Sequence, residues 1–184
     1  LGVVAITVSA SPGRALTPVQ QAEALAKGAL AEVDAGHMKE AALIFEQAFE
    51  FDRKHRYAWN AGRLWERIGN MMRAHRMYRW AFQVALDAPT RGKDLEAIGQ
   101  SEAALARKGR FKVMFAITPA DARVELDGEV VDDIGGARIE WLLAGKHALV
   151  VTADRRGRLE ETIDVQPAPE IRIEKALGPE RAIP

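Results

Sequence analysis

The chain is predicted to be an α+β protein, with about five helices arranged as helical hairpins followed by a small antiparallel β-sandwich. Two observations carry this. Gly36, Ala41, Phe45 and Ala48 recur as Gly69, Ala74, Tyr78 and Ala81, each pair 33 residues apart. Small residues let two helices approach closely, the aromatic between them fills a neighbouring groove, and the glycine marks the turn. Such a period reads as stacked helix pairs, each covering an apolar face the other would leave bare. After Gly109 the apolar spacing changes from three-and-four to strict alternation, as at Val113, Phe115 and Ile117, which is the period of a half-buried strand.

The helical elements come first in the chain. Gln20 to Ala35 reads as a helix, with Thr17-Pro18 as cap and first helical residue and Gly36 as breaker. Met38 to Phe51 places Ala41, Ala42, Phe45, Ala48 and Phe49 on one face. Tyr57 to Ile68 and Met71 to Ala88 form the next pair. Pro89-Thr90-Arg91-Gly92 reads as a turn, with Thr90 capping the next helix. Lys93 to Arg107 is that fifth helix, with Leu95, Ile98 and Leu105 inward, and Lys108-Gly109 ends it.

The strands are shorter. Lys112 to Thr118 and Arg123 to Leu126 precede Asp127-Gly128, a tight-turn dipeptide. Ala137 to Leu142, Lys146 to Ala153, Glu161 to Val165 and Glu170 to Leu177 complete the series. Ala144-Gly145, Arg155-Arg156-Gly157 and Pro167-Ala168-Pro169 separate them. Five or six strands at a spacing of roughly 8–12 residues predict a sandwich. The expected boundaries are a helical domain over 18–109, a β domain over 110–178 and a tail over 179–184.

Residues 1–17 are read apart. Leu1 to Val8 is apolar, and small residues come next at Val8-Ser9-Ala10 and Gly13-Arg14-Ala15, the pattern at the end of a secretory signal peptide. This predicts export, with a strand over Val3 to Val8 and a cytoplasmic protein as the alternative. The apolar run is shorter than the roughly 20 residues a membrane span needs.

Lys plus Arg and Asp plus Glu both number 26, so no global charge steers the chain toward nucleic acid or a membrane surface. Cysteine is absent, which excludes disulfides, a thiolate nucleophile and cysteine-ligated metal. His37, His55, His75 and His147 lack ligand spacing, and Asp121, Asp127, Asp132 and Asp133 lack the alternation of a calcium loop. No metal or other cofactor is expected. No nucleophile motif or phosphate loop occurs, so no enzyme is expected either.

Charge is concentrated locally. Residues 53 to 79 hold eight Lys or Arg, opposed within the segment only by Glu66, a net charge of +7. Trp59, Trp65 and Trp80 lie among or beside them, and Trp65 is assigned to the core. Arginine beside aromatic rings, with bidentate reach to carboxylates, suits an acidic peptide or a polyanion. Arg56, Trp59, Asn60, Arg63 and Arg67 recur at three and four on one helix.

The repeating residues resemble the tetratricopeptide repeat (TPR) family over roughly 20 to 109. Gly36, Ala41, Phe45, Ala48 and Asp52 match the first unit, and Gly62, Trp65, Gly69, Ala74, Tyr78 and Ala81 the second. The resemblance implies a groove lined by the first helix of each pair. Arg56, Trp59, Asn60, Arg63 and Arg67 would then contact a protein partner. The stretch from 111 to 177 resembles the PEGA family of bacterial envelope β-sandwich modules. Pro119-Ala120-Asp121-Ala122 stands for its signature turn, Val124, Asp127 and Gly128 match next, and Leu143-Ala144-Gly145 stands for its later motif.

Together these imply a non-catalytic scaffold of the bacterial cell envelope. The alternatives are a carbohydrate- or peptidoglycan-binding module and a cytoplasmic TPR adaptor. Exposed coplanar aromatics on the β half would favour the carbohydrate reading, and only Phe111, Phe115 and Trp141 are available there.

Overall fold

The computed structural model describes residues 15–178. The predicted leader or strand over the first residues lies outside them, as does the predicted tail. The chain divides into two compact units after Ser101. Helices occupy Pro18–Arg107 and strands Phe111–Ala176, so the α+β arrangement is as expected.

Four helices form two hairpins: α1 (Pro18–Asp34) with α2 (Met38–Phe51), and α3 (His55–Arg67) with α4 (Met71–Val84). α2 also packs on α3, which stacks the hairpins. α1 opens with a reciprocal cap, Thr17 accepting from the Gln20 N–H while Gln20 accepts from the Thr17 N–H. The repeat explains both inter-helix turns. Gly36 and Gly69 have φ of 85° and 81°, a left-handed conformation that glycine adopts without strain. The next N–H reaches back along the helix in each, His37 to the Glu32 carbonyl at 2.8 Å and Asn70 to the Trp65 carbonyl at 2.9 Å.

Ala41, Ala48, Ala74 and Ala81 have no exposed surface, and Phe45 and Tyr78 are buried between helices. Trp65 is buried, as assigned. Gly62 is set by contact rather than by backbone angle. A Cβ there would lie 2.7 Å from the Tyr78 ring, so α3 and α4 touch backbone to ring.

The fifth helix, α5 (Ala88–Arg107), departs from expectation. α4 stops at Val84, and Pro89-Thr90-Arg91-Gly92 is not a turn but the start of α5. Thr90 does not cap it. Asp87 does, accepting from the Thr90 N–H at 2.8 Å and the Thr90 hydroxyl at 2.9 Å. Those bonds hold its carboxyl below the usual carboxylate range. Proline is tolerated there because the first-turn N–H groups have no helical acceptor. Leu95, expected inward, is 54 % exposed, and Asp94 beside it is completely buried. The inward stripe is Asp94, Ala97, Ile98, Ser101 and Leu105. Hydrophobicity alone misses Asp94, which is accommodated because His55 Nε2 bonds both its carboxylate oxygens, at 2.9 and 3.1 Å.

The second unit holds two four-stranded sheets around one core. One has the order β4 (Asp133–Ile134), β5 (Ala137–Leu142), β1 (Phe111–Thr118), β8 (Ile171–Ala176). The other has the order β3 (Glu129–Val130), β2 (Arg123–Leu126), β6 (Gly145–Ala153), β7 (Gly157–Val165). Val113, Phe115 and Ile117 of the first meet Val124, Leu149, Val151 and Ile163 of the second. Two two-residue strands, β3 and β4, were not expected; so short a run shows no periodicity to read. All pairings are antiparallel except β1 with β8, which is parallel. Asp127 and Gly128 turn with φ of 51° and 84° between the paired Leu126 and Glu129, the backbone twist that a two-residue hairpin needs.

Asp127 also anchors β6, accepting from the Ala148 N–H at 2.8 Å and meeting His147 Nδ1 at 2.7 Å. Burial alone would lower the His147 pKa, but the bonds to Asp127 and to the Leu143 carbonyl outweigh it and raise it. Burial would raise that of Asp127, but His147 and the Ala148 N–H lower it. The histidine therefore stabilises the fold fully below its unfolded value of about 6.5, and that contribution fades as pH rises through the raised folded value. The aspartate's contribution is present above about 3.9 and fades as pH falls through its lowered value. The β unit is expected to melt higher at about pH 5.5 than at about pH 8.5, and His147→Gln to flatten that difference. An unchanged pH dependence in the variant would show that the pair is not coupled to folding.

Candidate functional site

Two depressions are lined in part by α3. One, of about 330 Å³, is bordered by Glu23, Lys27 and Leu30 of α1 and Arg56, Tyr57 and Asn60 of α3. The other, of about 580 Å³, is bordered by Trp59, Arg63, Glu66 and Arg67 of α3, Tyr78 of α4, and Lys93, Glu96, Ala97 and Gln100 of α5. The five residues singled out from the sequence thus fall into two places on α3. Arg56 and Asn60 face α1, whereas Trp59, Arg63 and Arg67 face α5.

The floor of the larger depression is aromatic and rigid. Trp59 stacks on His55 with centroids 5.9 Å apart and planes 19° apart, and it tilts against Tyr78 at 5.3 Å. His55 in turn is bonded to buried Asp94. Tyr78 donates its hydroxyl to Glu66. Burial first, and then that bond, hold the phenol far above its ordinary pKa, so it is a neutral donor at every physiological pH.

At least four of the eight local cations are already matched. The expectation that only Glu66 could oppose it within the segment overlooks acids folded in from α1 and α2. Arg53 pairs with Glu50 at 2.5 Å and lies over Phe49 and Trp80. Lys54 meets Asp52 at 2.8 Å, which raises its pKa. Arg56 donates to the Tyr57 hydroxyl at 2.7 Å and to Glu23 at 3.4 Å, both of which favour its charged form. Arg73 lies 4.7 Å from the Trp65 ring centroid and 3.6 Å from Glu46. Arg63, Arg67 and Lys93 are exposed and have no ion-pair partner among the described residues. They converge on the larger depression. Its two carboxylates are engaged by neutral donors, Glu66 by Tyr78 and Glu96 by the Gln100 amide at 3.1 Å.

Lys93, Glu96 and Gln100 were not anticipated, yet the period contains them. Adding 33 to Asn60, Arg63 and Arg67 gives Lys93, Glu96 and Gln100, so α5 occupies the place of a third first-helix. Arg56 and its partner Glu23 are likewise one period apart. The match is hidden because Leu95 and Ile98 stand one period on from Gly62 and Trp65, the residues that mark α3.

Elsewhere the chemistry is sparse. Among the described residues no three His, Asp or Glu side chains converge as a metal site. His37, His55 and His147 are each bonded to one carboxylate. Phe115 and Trp141 are buried and Phe111 packs against the β core, so the aromatics of the β unit form no exposed stacking platform for a sugar ring. No described helix is long and apolar enough to cross a membrane. No protein-family model matches the chain, and no curated protein matches it by sequence.

Proposed function

We propose that the helical unit binds an extended, acidic segment of a partner protein along the groove of α1, α3 and α5, and that the protein is a non-catalytic adaptor of the bacterial cell envelope. The observation that carries the reading is the convergence of Arg63, Arg67 and Lys93 beside Trp59. They are three cations left without an ion-pair partner among the described residues, while Arg53, Lys54, Arg56 and Arg73 around them are paired. Like charges gathered on one face repel one another, and a carboxylate-bearing ligand relieves that repulsion while arginine grips it at two points. Trp59 and Tyr78 supply rigid apolar area of the kind that dominates protein interfaces. The envelope location draws on the apolar and small residues of Leu1 to Ala15.

Photo-crosslinking tests the proposal. A photoreactive residue at Asn60 or Gln100, both in the groove, is expected to capture the same protein from native cells. A residue at exposed Gln83 on α4 is not. Capture should weaken with added salt, since exposed charges are screened within about 8–10 Å at physiological ionic strength. Equal capture from Gln83, or none from either groove position, would sink the proposal.

A further inference from the structure

The open edge of the first sheet carries a charge pattern complementary to itself. Among the described residues β8 is the end strand of that sheet, with β1 as its neighbour. The Leu177 N–H just beyond it donates to the Thr118 carbonyl of β1 at 2.9 Å. Backbone groups alternate sides along a strand, so Ile171, Ile173 and Lys175 direct theirs at β1. Those of Arg172, Glu174 and Ala176 point to the open edge. Side chains alternate between faces as well. Ile171 and Ile173 pack on the core, while Arg172 and Glu174 are exposed and bonded to each other at 2.7 Å.

An antiparallel partner must set one outward-directed residue directly opposite another. If the partner is β8 of a second copy, the registers near its middle oppose Arg172 to Arg172, Glu174 to Glu174, or Arg172 to Glu174. Only the last, centred on Ile173, brings unlike charges together, and the two-fold axis repeats it. We propose that β8 joins two copies of this chain edge to edge, with Arg172 of each opposite Glu174 of the other. The contact is self-complementary and closes after two copies.

The other sheet edges are less suited. β3 and β4 have two residues each. β7 is long, but full-length self-pairing of Gly157–Val165 centres on Glu161 and opposes that carboxylate to its own copy. Lys175 faces inward on β8, and Glu161 of the facing sheet holds its ammonium, so covering the edge strands no charge. A single strand pair buries less than a standard interface, so the dimer is weak and concentration-dependent.

Sedimentation velocity over a concentration series of the 184-residue chain tests this. The wild type is expected to pass from monomer to dimer. Glu174→Arg and Arg172→Glu each make both cross-strand pairs like-charged and are expected to weaken association at least about tenfold. An equimolar mixture of the two variants restores opposite charges and is expected to dimerise again. Glu174→Pro removes an outward N–H that β1 does not use. It should abolish the dimer with an unchanged circular dichroism spectrum, because edge strands tolerate proline. A wild type that stays monomeric throughout, as when the strand of another protein is the occupant, would overturn the proposal. So would single variants that dimerise like wild type, or a mixture that stays monomeric.

Discussion

Reversing Arg63 and Arg67 together to glutamate is expected to abolish partner capture while moving the melting temperature little. Both side chains are exposed, and neither has an ion-pair partner among the described residues. Substitutions at such positions usually change stability by no more than about 0.5 kcal/mol. For an acidic ligand, however, two attractive contacts become repulsive next to Glu66 and Glu96, which already line the depression. Arg73→Glu should behave in the opposite way. Arg73 covers the Trp65 ring and faces Glu46, so its reversal is expected to lower the melting temperature. Calorimetry and pull-down on the same preparations separate the cases. A sharp drop in melting for the double variant would make Arg63 and Arg67 structural, and unchanged capture would remove them from the site.

The second large effect is on packing. Ala74→Leu is expected to destabilise the helical unit by about 1–3 kcal/mol, because Ala74 is completely buried and has no room for three more carbons. Gly62→Ala should also be destabilising, since its methyl would lie 2.7 Å from the Tyr78 ring. Tyr78 is pinned by burial and by Glu66, so the ring cannot simply swing away. Gly28→Ala is the internal control. It too lies within a helix, but a Cβ there meets nothing within 4 Å. It should be stabilising by up to about 1 kcal/mol through helix propensity alone. Thermal melts of the three variants check this, and equal shifts for Gly28→Ala and Gly62→Ala would show that α3 and α4 are not in backbone-to-ring contact.

Where local chemistry decides the backbone, this chain could be read residue by residue. The Thr17-Pro18 cap, the glycines at 36 and 69 and the Asp127-Gly128 turn act within one turn of chain, so their neighbours in sequence are also their neighbours in space. The 33-residue repetition made the helix pairs legible for a related reason: a stack of similar units repeats its own contacts. Reading failed at α5, where Pro89 and Gly92 are the usual signs of a break and Leu95 the usual sign of an inward face. There a carboxylate from Asp87 starts the helix across the proline, and an imidazole 39 residues before Asp94 makes a buried carboxylate tolerable.

The candidate site divides along the same line. Its presence on α3 follows from the spacing of Arg56, Trp59, Asn60, Arg63 and Arg67, because a helix fixes which side chains share a face. Which of those arginines is available to a ligand does not follow from spacing. It depends on Glu23 and Glu46, which only the folding of α1 and α2 against α3 and α4 brings within reach of Arg56 and Arg73. Ion pairing acts over a few ångströms of space and is indifferent to distance along the chain. The order of residues therefore suffices for most of the elements, their repetition and the basic face. Which charges neutralise one another is settled in three dimensions, where Arg63, Arg67 and Lys93 are left together and unmatched.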